Sequence, residues 1–169
     1  MTSLPLVIAP DPIFRQIAEP VEVVDDEIRG LVSAMFETLY HEQGLGLGAN
    51  MVGLLKRIIV VDLQQDGTRN PLAMINPVIT SASKETQVFE EASLSYPGIA
   101  AKVRRPKSIE VTYLDTEGST QTLESDGLLA TVIQHEIDYL DGRIYLDHLS
   151  ATKRNLLLKK MAQMKRRGA

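Results

Sequence analysis

Residues 125–142 read Ser125-Asp126-Gly127-Leu128-Leu129-Ala130-Thr131-Val132-Ile133-Gln134-His135-Glu136-Ile137-Asp138-Tyr139-Leu140-Asp141-Gly142. Ser125 reads as a helix cap and Gly142 as a stop, and the first half of the helix between them is apolar nearly all round. A helix without a polar face has to be enclosed, which puts it at the centre of the molecule. Its second half then presents Gln134, His135, Glu136 and Asp138, and polar groups on an enclosed helix need partners or a function. Chemistry is expected there first.

Around this helix the sequence supplies strands and two further helices. Residues 57–63, 72–80, 86–90 and 108–114 are rich in Ile, Val, Thr and aromatic residues and are separated by turn signals. Asp115-Thr116-Glu117-Gly118 would fold 108–114 back onto 119–124 as a hairpin, with Ile109, Val111 and Tyr113 on one face. From Asp25 to Gln43, Ile28, Leu31, Val32, Met35 and Leu39 recur at helical spacing, with acids at the start and Gly44 at the end. A last helix at about 150–167 places Leu157, Met161 and Met164 on one stripe. Strands followed by helices, without β-α-β alternation, predict an α+β fold with sheets packed around the central helix.

The chain has 169 residues, 44% of them hydrophobic, so residues 1–169 are expected to form one domain. With no cysteine there is no disulfide framework, thiol nucleophile or cysteine-ligated metal site. His41, His135 and His148 are the only imidazoles. No run is long and apolar enough to span a bilayer and the start has no leader character, so a cytoplasmic protein is expected. Residues 150–169 carry seven cations and no acid, leaving 11 basic and 22 acidic residues in 1–149. Such a tail suits an anionic partner such as a ribosomal surface, and equally a solvated helix end whose cations favour its own dipole.

His135-Glu136-Ile137-Asp138-Tyr139 is one residue away from H-E-x-x-H, in which two imidazoles one turn apart face a metal and the Glu handles the proton of its bound water. Here the second imidazole is a phenol. Taken alone, a histidine such as His135 is more often a hydrogen-bonded core residue than a ligand. Gly44-Leu45-Gly46-Leu47-Gly48 is no phosphate loop, because it follows a helix and lacks the Lys-Ser or Lys-Thr ending; close backbone approach to a peptide explains it better.

Three segments together resemble the peptide deformylases, which remove the formyl group from the N-terminal methionine of nascent polypeptides. The family motifs G-x-G-x-A-A-x-Q, E-G-C-L-S and Q-H-E-x-D-H find counterparts in Gly44–Met51, Glu91-Ala92-Ser93-Leu94-Ser95 and Gln134–Tyr139, with flanking matches at Pro10–Arg15, Tyr96-Pro97-Gly98 and Leu140-Asp141-Gly142. The resemblance implies catalytic positions at Glu136, the Leu94 amide and Met51, which stands where the family has its oxyanion-binding Gln. It implies metal-ligand positions at Ser93, His135 and Tyr139, where the family has Cys and two His. The family metal is iron, with zinc or nickel as substitutes. A pocket for the methionine side chain is implied at Leu45, Gly46, Leu128, Thr131 and Val132, the last two equally suited to the core. Gln134 and Asp138 would orient His135 and neighbouring backbone, and His41 and His148 would lie on the surface.

The departures bear on function. A serine hydroxyl is far less acidic than a thiol and donates poorly, and a phenol is a poor substitute for an imidazole at zinc or ferrous iron. One good ligand out of three leads to the expectation of no metal cofactor. Methionine at position 51 removes a donor of a kind worth about 100 to 1000-fold in rate. The chain is therefore expected to have lost metal-dependent deformylation. The alternatives are slow residual deformylation, a hydrolase with Ser93 as nucleophile and His135 as base, or a module that binds methionyl or formyl-methionyl peptides or contacts the ribosome through its basic helix. A tail without aromatics argues against sequence-specific nucleic-acid binding, and no membrane association is expected.

Overall fold

The computed structural model describes residues 3–168. Five strands form an antiparallel sheet: β1 (Gly46–Gly48), β2 (Ile58–Val61), β3 (Leu72–Ala82), β6 (Ser108–Leu114) and β7 (Thr120–Asp126), adjacent in that order. β4 (Thr86–Ser93) and β5 (Tyr96–Pro106) make a separate two-stranded hairpin. Helix α1 (Asp26–His41) lies on one side of the five-stranded sheet, and α2 (Gly127–Leu140) lies between that sheet and the hairpin. Helix α3 (Ala151–Arg167) docks on β5. The expected α+β architecture around a central helix is what the chain forms.

The alternation of β2 explains the layering. Ile59 and Val61 join Met74, Ile109 and Val111 in a cluster that receives Ala130, Ile133, Ile137 and Leu140 of α2. Ile58 and Val60 point to the other face, where Met35 and Leu39 of α1 join them. Burying each such Ile or Leu is worth about 1.5–3 kcal/mol, so the 130/133/137/140 stripe fixes α2 on the sheet. The opposite face of α2, carrying Thr131, His135 and Tyr139, is thereby turned toward the hairpin. Ile109 and Val111 are buried with Tyr113 against the same cluster, as the sequence predicts.

Local chemistry sets several boundaries. Asp25 caps α1 by accepting from the Ile28 amide at 3.0 Å, and Ser150 caps α3 through the Lys153 amide. Ser125 does not cap α2. It stays in β7 opposite Ile109, Asp126 takes the cap position without a side-chain bond, and Gly127, at φ 62°, turns strand directly into helix. β2 stops at Val61 because the Asp62 carboxylate accepts from the Gln64 and Asn70 amides and bends the chain away.

Two strands are absent from the sequence reading. β1 has only three residues, two of them glycine. β5 reads Tyr-Pro-Gly-Ile-Ala-Ala-Lys-Val-Arg-Arg-Pro, poor in β formers. Pairing with β4 imposes its conformation, from Thr86 opposite Pro106 to Ala92 opposite Ala100. On α3, Met161 is buried and Leu157 half-buried, while Met164 lies largely exposed over Gly98, whose missing Cβ leaves it room.

Candidate active site

A cavity of about 360 Å³ opens between α2, the β4–β5 hairpin and the 43–46 segment. Leu45, Gly46, Leu128, Thr131 and Val132 line it, as do Met51, Ser93, Leu94, His135 and Glu136. Tyr139 is wholly buried behind Ser93, its hydroxyl 2.5 Å from the Ser93 Oγ. The fold thus gathers all eleven residues singled out in the sequence at one place.

Each is placed by its element. His135 lies one turn beyond Thr131 on α2, so both side chains face the cavity. The Thr131 hydroxyl accepts from Gln87 Nε2 at 3.0 Å, tying α2 to β4, so this residue belongs to cavity wall and packing alike. Gly46 is required by proximity: a Cβ there would sit 2.7 Å from Glu136 Oε2 and 2.9 Å from Val132 Cγ1. The backbone of β1 can pass against the Glu136 carboxyl only because that carbon is missing. Met51 is buried, and its sulfur accepts from the Gly48 amide at 3.4 Å; a thioether offers no donor to an oxyanion.

The polar network around His135 is larger than the sequence suggested. His135 Nδ1 lies 2.8 Å from Glu91 Oε1. Arg105 grips Glu91 through two bonds, Nε to Oε2 at 2.8 Å and Nη2 to Oε1 at 2.9 Å, and donates from Nη1 to Asp138 Oδ2 at 2.9 Å. Asp138 also meets His148 Nε2 at 2.8 Å. His148 is exposed, as His41 is, but it is tied into this network through Asp138. Gln134 holds neighbouring backbone, as expected, by donating to the Pro106 and Ala130 carbonyls, but neither it nor Asp138 bonds the His135 ring, which Glu91 orients. Glu91 opens the second motif and could have been suspected from it. Arg105 lies in the unpredicted β5 and gave no signal.

Electrostatics separates the two neighbouring glutamates. Burial would raise Glu91, but the bonds from His135 and Arg105 more than reverse it, and its carboxyl lies below the usual range. Glu136 has no such help. Burial pushes it up to about 7, only partly opposed by His135, and its Oε1 has no hydrogen-bond partner. Burial lowers the affinity of His135 for a proton, but Glu136 and Glu91 outweigh this and leave it above its ordinary value. Burial holds the Tyr139 phenol well above its ordinary value, so it stays protonated.

The Ser93 hydroxyl bonds to Tyr139 and receives the Ser95 amide at 3.2 Å. Among the described residues no hydrogen bond joins it to His135, so the pairing that a serine nucleophile needs is not assembled.

The family described as polypeptide deformylase matches residues 3–155. A protein of Rickettsia conorii named "Peptide deformylase-like" is 54% identical over 92% of this chain and 85% of its own length. The peptide deformylase of Rhizobium meliloti is 44% identical over 100% of this chain and 98% of its own. The crystal structure of peptide deformylase from Ehrlichia chaffeensis superposes with a TM-score of 0.92 at 38% identity, covering 99% of each chain. The chain belongs to the polypeptide deformylase family.

That membership corrects one expectation. The family is metal-dependent, and the ligand positions remain gathered at one site, so the expected absence of a metal cofactor does not stand. The donor set nonetheless fits the family's thiolate and two imidazoles poorly. Only His135 matches, the oxygens at the other two positions are bonded to each other, and among the described residues no three His, Cys, Asp or Glu side chains converge on a cation site.

Proposed function

We propose that this chain is a deformylase homologue that has lost the family's metal-dependent deformylation and works by binding the N-terminal methionine of nascent peptides. The Ser93–Tyr139 hydrogen bond carries the reading. It joins the two replaced ligand positions to each other, and Met51 supplies no oxyanion donor. The wall of Leu45, Leu128, Thr131 and Val132 is apolar enough for a thioether side chain.

The protein would act in the cytoplasm, where nascent chains emerge. Lys153, Lys159, Lys160, Lys165, Arg166 and Arg167 are exposed along α3, a surface suited to ribosomal phosphates, and contact through it should weaken steeply with salt. No membrane partner is proposed; among the described residues no helix is long and apolar enough to cross one.

Calorimetric titration of the purified chain with Met-Ala-Ser and with its formylated form tests the reading. Saturable heat with at least one peptide, recovered intact by mass spectrometry, is expected. Heat with neither, or cleavage of the formyl group, would overturn it.

A further inference from the structure

A second cavity, of about 380 Å³, opens between α3 and residues 9–15 and shares no lining residue with the first. Its walls include Phe14, Tyr96, Ile144, Leu158 and Met161, all buried except the half-buried Leu158. Small-molecule sites enclose about 300–1,000 Å³, so the space suits a compact ligand.

One polar group in this wall has no partner. Tyr96 is 6% exposed, yet among the described residues its hydroxyl forms no hydrogen bond. Burial pushes it up to about 12, so it stays protonated and can donate. The charges of Arg15 and Asp147 both bear on that hydroxyl, which therefore lies near the mouth of the cavity. A buried hydroxyl left unpaired costs stability that a ligand's acceptor would restore. At the mouth, Arg15 bonds Asp147 through both terminal nitrogens, at 2.7 and 3.2 Å, and leaves its Nε–H without a partner among the described residues. Arg154 approaches the same carboxylate at 3.7 Å, so two guanidiniums share one acid. Asp11, also at the mouth, is exposed and spends its Oδ1 on the Ile13 amide. What an apolar body in this cavity would find at its polar end is a set of donors.

We propose that this second cavity binds an amphiphilic carboxylate, its apolar body against Leu158 and Met161 and its carboxylate accepting from Tyr96 and Arg15. The inference is independent of the peptide-binding reading. A bound acid would bridge α3 to residues 9–15 and fix the basic helix on the body of the protein.

The test is an NMR titration of the full chain, isotopically labelled at its methionine methyl groups, with octanoate, phenylpropanoate and octanol. The Met161 signal, assigned through Met161→Leu, should shift saturably with at least one of the two acids, while Met51, which lines the first cavity, stays in place. The better acid should bind about 10-fold or more tightly than octanol, the gain of a charge-assisted bond. Tyr96→Phe, which removes only the hydroxyl, should weaken that acid about 10-fold. A shift of Met51 in place of Met161, or of exposed Met164 alone, would put the acids in the first cavity or on the outer face of α3 and overturn the inference. Octanol binding as tightly as the acids, or no shift with either acid, would overturn it too. Undiminished binding by Tyr96→Phe would overturn the role of the hydroxyl. Should that variant not fold, the pattern of shifts and the comparison of acid with alcohol on the native chain decide by themselves.

Discussion

Replacing Arg105 by methionine tests how the site is held. The Arg105 side chain is 3% exposed and the Glu91 side chain 4%, and one guanidinium bonds both Glu91 and Asp138. Methionine roughly keeps the volume but leaves two enclosed carboxylates without their cation. Breaking such a buried pair costs about 3–5 kcal/mol. At about 2–4 °C per kcal/mol for a chain of this size, Tm should fall by about 6–20 °C at pH 7.5 in scanning calorimetry. The pH dependence has a definite sign. Burial raises Glu91 and Asp138, but the bonds from His135 and Arg105, and from His148 and Arg105, hold both below the usual carboxylate range. Their contribution is therefore present at neutral pH and lost as pH falls through the depressed values. In Arg105→Met the same groups take up protons at higher pH and escape their unpaired charge, so the gap between the two proteins should narrow at pH 5.5. A fall below about 2 °C at pH 7.5, or a gap that does not narrow, would refute the assignment of Arg105 as the cation that holds the site.

Two further outcomes follow from local geometry. Gly46→Ala sets a methyl group 2.7 Å from Glu136 Oε2 and should cost about 1–3 kcal/mol, read as a lower denaturation midpoint, and abolish peptide binding. Burial raises Asp147, but the hydrogen bond and charge of Arg15 hold it below its ordinary value. Its contribution is lost as pH falls below the ordinary carboxylate range, so Arg15→Gln should flatten the acid limb of the stability curve. The effect at pH 7 should stay under about 1 kcal/mol, because the Arg15 side chain is half exposed.

The central helix was legible because an apolar run is long enough to demand burial, and its abrupt polar ending located the site. The replaced positions 51, 93 and 139 were legible by matching motifs, and the fold brings them together. What stayed hidden is what tertiary pairing decides. β5 has too few β formers to announce itself, so Arg105 and its hold on Glu91 could not be placed. His148 lies on the surface as the sequence suggested, but nothing local shows that Asp138 reaches it. The serine nucleophile was conceivable from sequence, but the Ser93 hydroxyl turns to a phenol that no spacing rule would pair with it. The expected absence of a metal was an inference from ligand chemistry alone, and family membership does not support it.

The measurement closest to the central claim is turnover of formyl-Met-Ala-Ser with ferrous iron, nickel or zinc supplied anaerobically. It is run on the native chain and on the triple variant Met51→Gln, Ser93→Cys, Tyr139→His. The native chain should release no formate with any metal, and the variant should gain metal-dependent turnover on the same scaffold. Metal-dependent formate release by the native chain would contradict the account, because serine and tyrosine oxygens would then be serving as ligands.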